Sequence, residues 1–160
     1  MNEYRVGIGV DAHAFEEGVK LVLGGLELDF PRGLAGHSDG DVIAHALIDA
    51  LLGAANRGDI GTLVPSGDDR WLGASSLDLL RRAYEAVRAD GWRLVNADCV
   101  LIGEEPRIGP YAEEMATRLA GAIGVEGELI AVRATTTDRL GFTGRGEGLA
   151  AQAVALLARG

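Results

Sequence analysis

The segment His37 to Asp49 reads HSDGDVIAHALID and places two of the chain's three histidines and three aspartates within thirteen residues. Val42, Ile43, Ala46, Leu47, Ala50, Leu51 and Ala54 recur at helical spacing, which predicts a helix with a buried face. Ser38 and Asp41 stand in the S-x-x-D relation of a capping box, so the helix is expected to start at Ser38 or Asp39. Asp41, His45 and Asp49 fall four apart and share one stripe of it. The third histidine, His13, belongs to Asp11-Ala12-His13 near the N-terminus. Tyr4 to Val10 predicts a strand with Val6, Ile8 and Val10 on one face, ending where Asp11 and His13 follow. Residues two apart on an extended chain point the same way, so both can reach one ion. Asp11, His13 and His45 are therefore expected to meet around a metal.

Outward from this segment, Lys20–Leu23, Gly24-Gly25 and Leu26–Phe30 predict a small hairpin. Pro31 to Gly36 is expected as loop, the central helix is expected to end near Asn56-Arg57-Gly58, and Gly58 to Gly61 to form a tight turn. Val64 to Trp71 reads as loop. Ser75-x-x-Asp78 suggests a second capping box, opening a helix to Asp90 that Gly91 closes. Trp92 to Gly103 reads as a strand and Glu104 to Gly109 as a turn. A helix follows from Pro110 to Ile123 with Gly124 as its stop, then a strand over Glu128–Thr137. Strand, helix, strand predicts a right-handed βαβ unit. A glycine-rich loop, Gly141 to Gly146, precedes an expected last amphipathic helix from Glu147 to Ala158. The fold class is thus α/β, or α+β: one domain over residues 1–160, with a mixed sheet of about four or five strands and helices largely on one face.

Composition narrows the function classes. The chain has 160 residues, 48% hydrophobic and 24% charged, as an ordinary globular protein does. A net charge of −9 argues against nucleic acid as a partner, since phosphate backbones need a basic surface. No apolar run is long enough to span a membrane, and the N-terminus lacks the regions of a signal peptide. The single cysteine, Cys99, excludes an internal disulfide and fits a reducing cytoplasm.

Two histidines and one aspartate leave a coordination position open, the pattern of a catalytic rather than a structural zinc. The same ligands also make the facial triad of non-haem iron oxygenases, and spacing alone does not separate the two. His37 stands at the helix entrance, either as a loop residue or as a contact for an anion near the helix N-terminus. Asp41 and Asp49 read as solvated helix aspartates, with Asp49 alternatively orienting the His45 ring. Asp59 either satisfies turn amides or accepts from substrate hydroxyls. Thr135-Thr136-Thr137-Asp138 reads as strand propensity, or as hydroxyls and a carboxylate suited to phosphate and a hard cation. With Glu104-Glu105-Pro106-Arg107 it would wall one pocket beyond the strand ends.

Four motifs in order, DAH at 11–13, HSDGDVIAHALIDALLGAA at 37–55, GDIG at 58–61 and ATTTDRLGFTGRGEG at 134–148, resemble the 2-C-methyl-D-erythritol 2,4-cyclodiphosphate synthase family, from Arg5 to the C-terminal segment. The resemblance implies that the 2-phosphate of 4-diphosphocytidyl-2-C-methyl-D-erythritol 2-phosphate attacks the β-phosphorus, closing a cyclic diphosphate and releasing CMP, in the non-mevalonate isoprenoid pathway. It implies Zn²⁺ on Asp11, His13 and His45, and a second cation, Mg²⁺ or Mn²⁺, on Asp138. His37 and Thr136 map to groups stabilising the transition state, and Ser38 lies beside the phosphates. Asp59, Ile60 and Gly61 map to the methylerythritol pocket, and Gly103 to Ile108, including Arg107, with Thr135 to the cytidine and phosphate pocket. It further implies a homotrimer with sites shared between subunits. An axial channel able to hold an isoprenoid diphosphate would be lined by Phe142 and closed by Arg145. The chain departs from the family in three places. Asp138 stands where Glu is usual, Arg107 where Lys is common, and Val64 to Asp69 where F-P-D-T-D is usual.

Overall fold

The computed structural model describes residues 1–65 and 67–160. Ser66, in the expected Val64 to Trp71 loop, lies outside the described residues. In chain order the elements are β1 (Glu3–Glu17), β2 (Leu21–Leu23), β3 (Leu26–Leu28), β4 (Arg32–Leu34), α1 (Val42–Ala54), α2 (Ile60–Leu63), α3 (Ser76–Ala89), β5 (Arg93–Ile102), α4 (Ala112–Ile123), β6 (Ile130–Thr135), α5 (Gly141–Gly144) and β7 (Gly148–Arg159). The main sheet has the order β4-β1-β7-β5-β6, and β2 pairs with β3 as the expected hairpin. The turn glycines Gly24 and Gly25 both have positive φ, as a two-residue turn of this kind requires. β5 and β6 run parallel with α4 between them, which is the expected βαβ unit; the other pairings in the main sheet are antiparallel. The mixed five-stranded sheet with helices on one face is the α/β architecture read from the sequence.

The last element corrects the sequence reading. Gly148–Arg159 is a strand, not a helix, and it lies at the centre of the sheet between β1 and β5. Its alanines and leucines favour a helix locally. Long-range pairing along both edges overrides that preference, and Leu149, Ala151, Ala153, Ala155 and Leu157 fall on one buried face under α1. Three smaller corrections accompany it, the first two from strand pairing of the same kind. β1 continues through Asp11 and His13 to Glu17, β4 forms within the expected loop, and a 3₁₀ turn, Asp69–Trp71, interrupts the next one.

α1 crosses the sheet over β1 and β7 and is buried almost throughout. The sheet accommodates it through glycine. Gly7 and Gly9 face the helix, while Val6, Ile8 and Val10 point to the opposite, open face and are exposed. A side chain at Gly9 would overlap the Ala46 carbonyl oxygen, and its Cβ would stand 2.8 Å from the Ala50 amide nitrogen. Helix and strand thus meet backbone to backbone, and the same face of β1 continues into Asp11 and His13.

Helix starts also differ from expectation. α1 is capped by Asp41, whose carboxylate accepts from the Ala44 amide, rather than starting at Ser38 or Asp39. Ser75 makes no side-chain cap at α3; instead Asp39, from the segment before α1, accepts the Ser76 amide at 2.9 Å. Gly91 and Gly124 close α3 and α4 with positive φ, as read from the sequence.

Candidate metal centre

Asp11 and His13 lie two apart on the helix-facing side of β1, and His45 projects from the first turns of α1. One donor atom from each falls within 4.8 Å of the others. Asp11 Oδ2 is 2.7 Å from His13 Nε2 and 3.0 Å from His45 Nδ1, and the two ring nitrogens are 3.3 Å apart. The three residues expected to share an ion therefore converge on one point.

The ring tautomers suit a metal. His13 Nδ1 stands 2.6 Å from the Ala35 carbonyl oxygen, which can only accept, so Nδ1 keeps a proton and Nε2 is the nitrogen turned to Asp11 and His45 and left for a metal. His45 turns Nε2 towards Ser76 Oγ at 2.8 Å and Ser38 Oγ at 3.0 Å, leaving Nδ1 towards Asp11 and His13. Burial raises the Asp11 carboxyl, but hydrogen bonds from His13 and His45 outweigh it and bring it down to about 2. Its bond to Asp11 raises His13, against desolvation. Two nitrogens and one ionised carboxylate oxygen, part-buried and convergent, make a donor set that fits Zn²⁺ with a position left open.

Other predicted residues are placed differently from their readings. Asp41 is fully buried rather than solvated; its carboxylate accepts from Gly24 at 2.9 Å, Gly25 at 2.7 Å and Ala44 at 3.1 Å, tying the hairpin turn to α1. Asp49 does not orient His45; it accepts the Ile60 amide at 2.7 Å and fixes the start of α2. Asp59 caps α2 through Thr62, with Ile60 and Gly61 in its first turn. His37 is exposed at the entrance to α1, and its carbonyl accepts from Gly73.

The strand-end residues collect elsewhere. Gly103, Arg107, Thr135 and Thr136 line a cleft of about 960 Å³ with Arg139, Gly144 and Arg145, and none of the metal triad lines it. Thr136 Oγ1 and Asp138 Oδ1 are 3.3 Å apart, and the Asp138 backbone is left-handed with φ 53°. Ala12 of β1 lies opposite Ala150, Ala150 opposite Ile102, and Ile102 opposite Thr135, so triad and threonine turn share one end of the sheet. Three strand spacings separate them, roughly 14 Å. Phe142 is 43% exposed, and Arg145 is paired with Glu147 at 2.8 Å. Sequence reasoning missed Asp39 and Ser76 at the triad, because nothing in the local pattern links positions 37 residues apart.

A mixed sheet that sets an aspartate and two histidines against one buried helix, within reach of a single metal ion, defines an α/β protein with a candidate metal site. The family profile of YgbB matches residues 4–158, and the chain belongs to the YgbB family. A curated relative from Moorella thermoacetica, named 2-C-methyl-D-erythritol 2,4-cyclodiphosphate synthase, is 56% identical over 153 residues, 96% of this chain and 94% of that protein. The synthase of that name from Rubrobacter xylanophilus is 56% identical over 162 residues, 99% of this chain and 98% of its own. Among solved structures, the bifunctional IspDF of Campylobacter jejuni superposes with a TM-score of 0.96 at 40% identity, covering 100% of this chain and 43% of that one. The CDP complex of IspF from Plasmodium falciparum superposes with a TM-score of 0.85 at 28% identity, covering 99% and 98%.

Proposed function

We propose that residues 1–160 act as one cyclodiphosphate synthase domain. Its reaction converts 4-diphosphocytidyl-2-C-methyl-D-erythritol 2-phosphate into 2-C-methyl-D-erythritol 2,4-cyclodiphosphate and CMP, a phosphorus–oxygen lyase step in the non-mevalonate isoprenoid pathway. The observation that carries this reading is the convergence of Asp11, His13 and His45 on a scaffold whose relatives are named for that reaction. A 2-phosphate oxygen forms a bond to the β-phosphorus, the bond from that phosphorus to the CMP oxygen breaks, and CMP leaves with the electron pair. The nucleophile is already an anion, so the chain needs no strong base. Its task is to bring two negative phosphates together and hold them in line.

Asp11, His13 and His45 would hold Zn²⁺, and Asp138 a second cation, Mg²⁺ or Mn²⁺; when bound, these ions neutralise phosphate charge and polarise phosphorus. The chain's own groups divide the remaining work. His37, exposed at the mouth of α1, and the Thr136 hydroxyl stabilise the crowded phosphorus in the transition state. Ser38 presents its hydroxyl to phosphate. The Asp59 carboxylate and the Ile60 and Gly61 backbone receive the methylerythritol, on a turn that Asp49 holds in place. Gly103, Arg107 and Thr135 line the cleft that takes the cytidylyl phosphates.

The same reading makes the protein a homotrimer with shared sites. The separation of the triad from Thr136 and Asp138 within one chain supports it, because a neighbouring subunit would bring the second half to the first. Tyr4, Val6, Ile8, Val10 and Val154 form an exposed apolar stripe on the face of the sheet opposite the helices, the kind of surface a subunit contact buries. Phe142 and Arg145 would line and close an axial channel that binds an isoprenoid diphosphate, with Arg145 leaving Glu147 for the anion. Cys99, buried as a free thiol, suits a cytoplasmic protein, and no helix among the described residues is long and apolar enough to cross a membrane.

The test is CMP release from the cytidylyl substrate, before and after chelation and again with Zn²⁺ and Mg²⁺ restored. Metal-dependent CMP formation alongside a cyclic diphosphate is expected. A folded, zinc-loaded trimer that releases no CMP would overturn the assignment.

A further inference from the structure

His45 is held from behind by two residues that the reaction as derived does not use. Its Nε2 lies 2.8 Å from Ser76 Oγ. Ser76 is fully buried at the first position of α3, and its hydroxyl donates to Asp39 Oδ1 in a short contact while its amide donates to Asp39 Oδ2 at 2.9 Å. A carboxylate has no proton to give, so Ser76 is the donor to Asp39 and turns a lone pair to His45. The proton between Ser76 and His45 must then belong to Nε2. That fixes Nε2 as a protonated nitrogen and leaves Nδ1, aimed at Asp11 and His13, as the one that can meet a metal.

We propose that Ser76 and Asp39 are positioning residues for the metal, setting the His45 tautomer and ring orientation through the chain Asp39 to Ser76 to His45 Nε2–H. The proposal rests on the reading that Asp11, His13 and His45 hold zinc. Outer partners of this kind raise ligand basicity and lock the ring, and their loss typically weakens a metal by roughly 10- to 100-fold.

The arrangement also divides labour between two serines. Ser38 Oγ stands 3.0 Å from the same Nε2, yet no carboxylate fixes its proton. With Ser76 as the committed acceptor, the Ser38 hydroxyl is free to rotate and donate to a phosphate. The same contacts clamp the segment before α1 to the one before α3: Gly73 donates to the His37 carbonyl at 2.6 Å and Asp39 to the Ala74 carbonyl at 3.2 Å. Zinc affinity thereby becomes coupled to the segment that leads into α3.

The experiment measures zinc affinity on the whole folded protein by competition with a chromophoric chelator, for the parent, Ser76→Ala, Ser76→Thr and Asp39→Asn. Ring ¹⁵N shifts of His45 are recorded in the parent, with and without zinc. Ser76→Ala is expected to bind zinc roughly 10- to 100-fold more weakly than the parent. Ser76→Thr, which keeps the hydroxyl, should recover most of that loss, and Asp39→Asn should fall between. The zinc-loaded parent should show the proton on Nε2 and the metal on Nδ1, a readout that stands even where a variant fails to fold. Parent-like zinc affinity in Ser76→Ala, or a His45 that meets zinc through Nε2 in the loaded parent, overturns the proposal. A parent that takes up no zinc at all overturns the metal reading beneath it, and the two failures are distinct.

Discussion

Replacing Gly9 with alanine tests whether the metal centre depends on the backbone contact between β1 and α1. The new Cβ would stand 2.8 Å from the Ala50 amide nitrogen and 2.9 Å from the Ala46 carbonyl carbon, and closer still to the Ala46 oxygen. These are backbone atoms, which cannot rotate aside, so α1 must lift by about 1.6 Å to restore contacts near 3.5 Å. Overpacking of this kind costs about 1–3 kcal/mol, and with helix backbone as the obstacle the upper end is expected. The same lift carries His45 away from Asp11, whose oxygen lies 3.0 Å from Nδ1. Ligand distances in a metal site hold to within about 0.2 Å, so zinc affinity should fall together with stability. Urea unfolding of the metal-free protein reads the first effect and chelator competition the second. Gly53→Ala is the control on the same helix: its Cβ would meet only the Ile8 carbonyl, at 3.9 Å. There the gain in helix propensity should stabilise by about 0.5–1 kcal/mol and leave zinc binding unchanged. A Gly9→Ala protein with the parent's urea midpoint and zinc affinity would refute the close-approach argument.

Three further outcomes can be checked. Burial drives the Asp41 carboxyl up to about 6 from 3.8, against its three amide hydrogen bonds. A raised acid contributes stability that is full below the unfolded value and lost as pH rises through the folded one, here by roughly 3 kcal/mol between about pH 4 and pH 6. Asp41→Asn should remove that dependence, and equal pH slopes for variant and parent in urea unfolding would contradict the assignment. Ile8→Lys places a charge in the exposed apolar stripe and should yield a folded protein that sediments as a monomer and releases little CMP; an intact trimer would remove the stripe from the subunit contact. Arg145→Ala should weaken isoprenoid diphosphate binding more than it slows turnover, and unchanged binding by calorimetry would exclude Arg145 from that role.

What was legible in the sequence followed from local rules, and what was not followed from partners distant in the chain. The Asp11–His13 pair could be read because a strand repeats every two residues, and His45 because the apolar residues from Val42 to Ala54 recur at helical spacing around it. Both S-x-x-D patterns misled for one reason. The serines sit at helix entrances, but neither supplies a side-chain cap: Asp41 itself caps α1, and the amide at the start of α3 goes to Asp39, which belongs to neither pattern and lies 37 residues back. β7 is the more instructive case. A strand buried on one face announces itself by alternation, yet Leu149 to Ala158 has one polar residue, Gln152, and so carries no period of two to set against its helical propensity. That lack of contrast has a structural cause. One face of β7 lies under α1, and the other, with Val154 and Leu156 beside Ile8 and Val6 of β1, belongs to the apolar stripe proposed as the subunit contact. A strand meant to be covered on both sides has no use for a polar face. The feature that hid β7 in the sequence is therefore the one that argues for assembly, and the Ile8→Lys protein tests both at once.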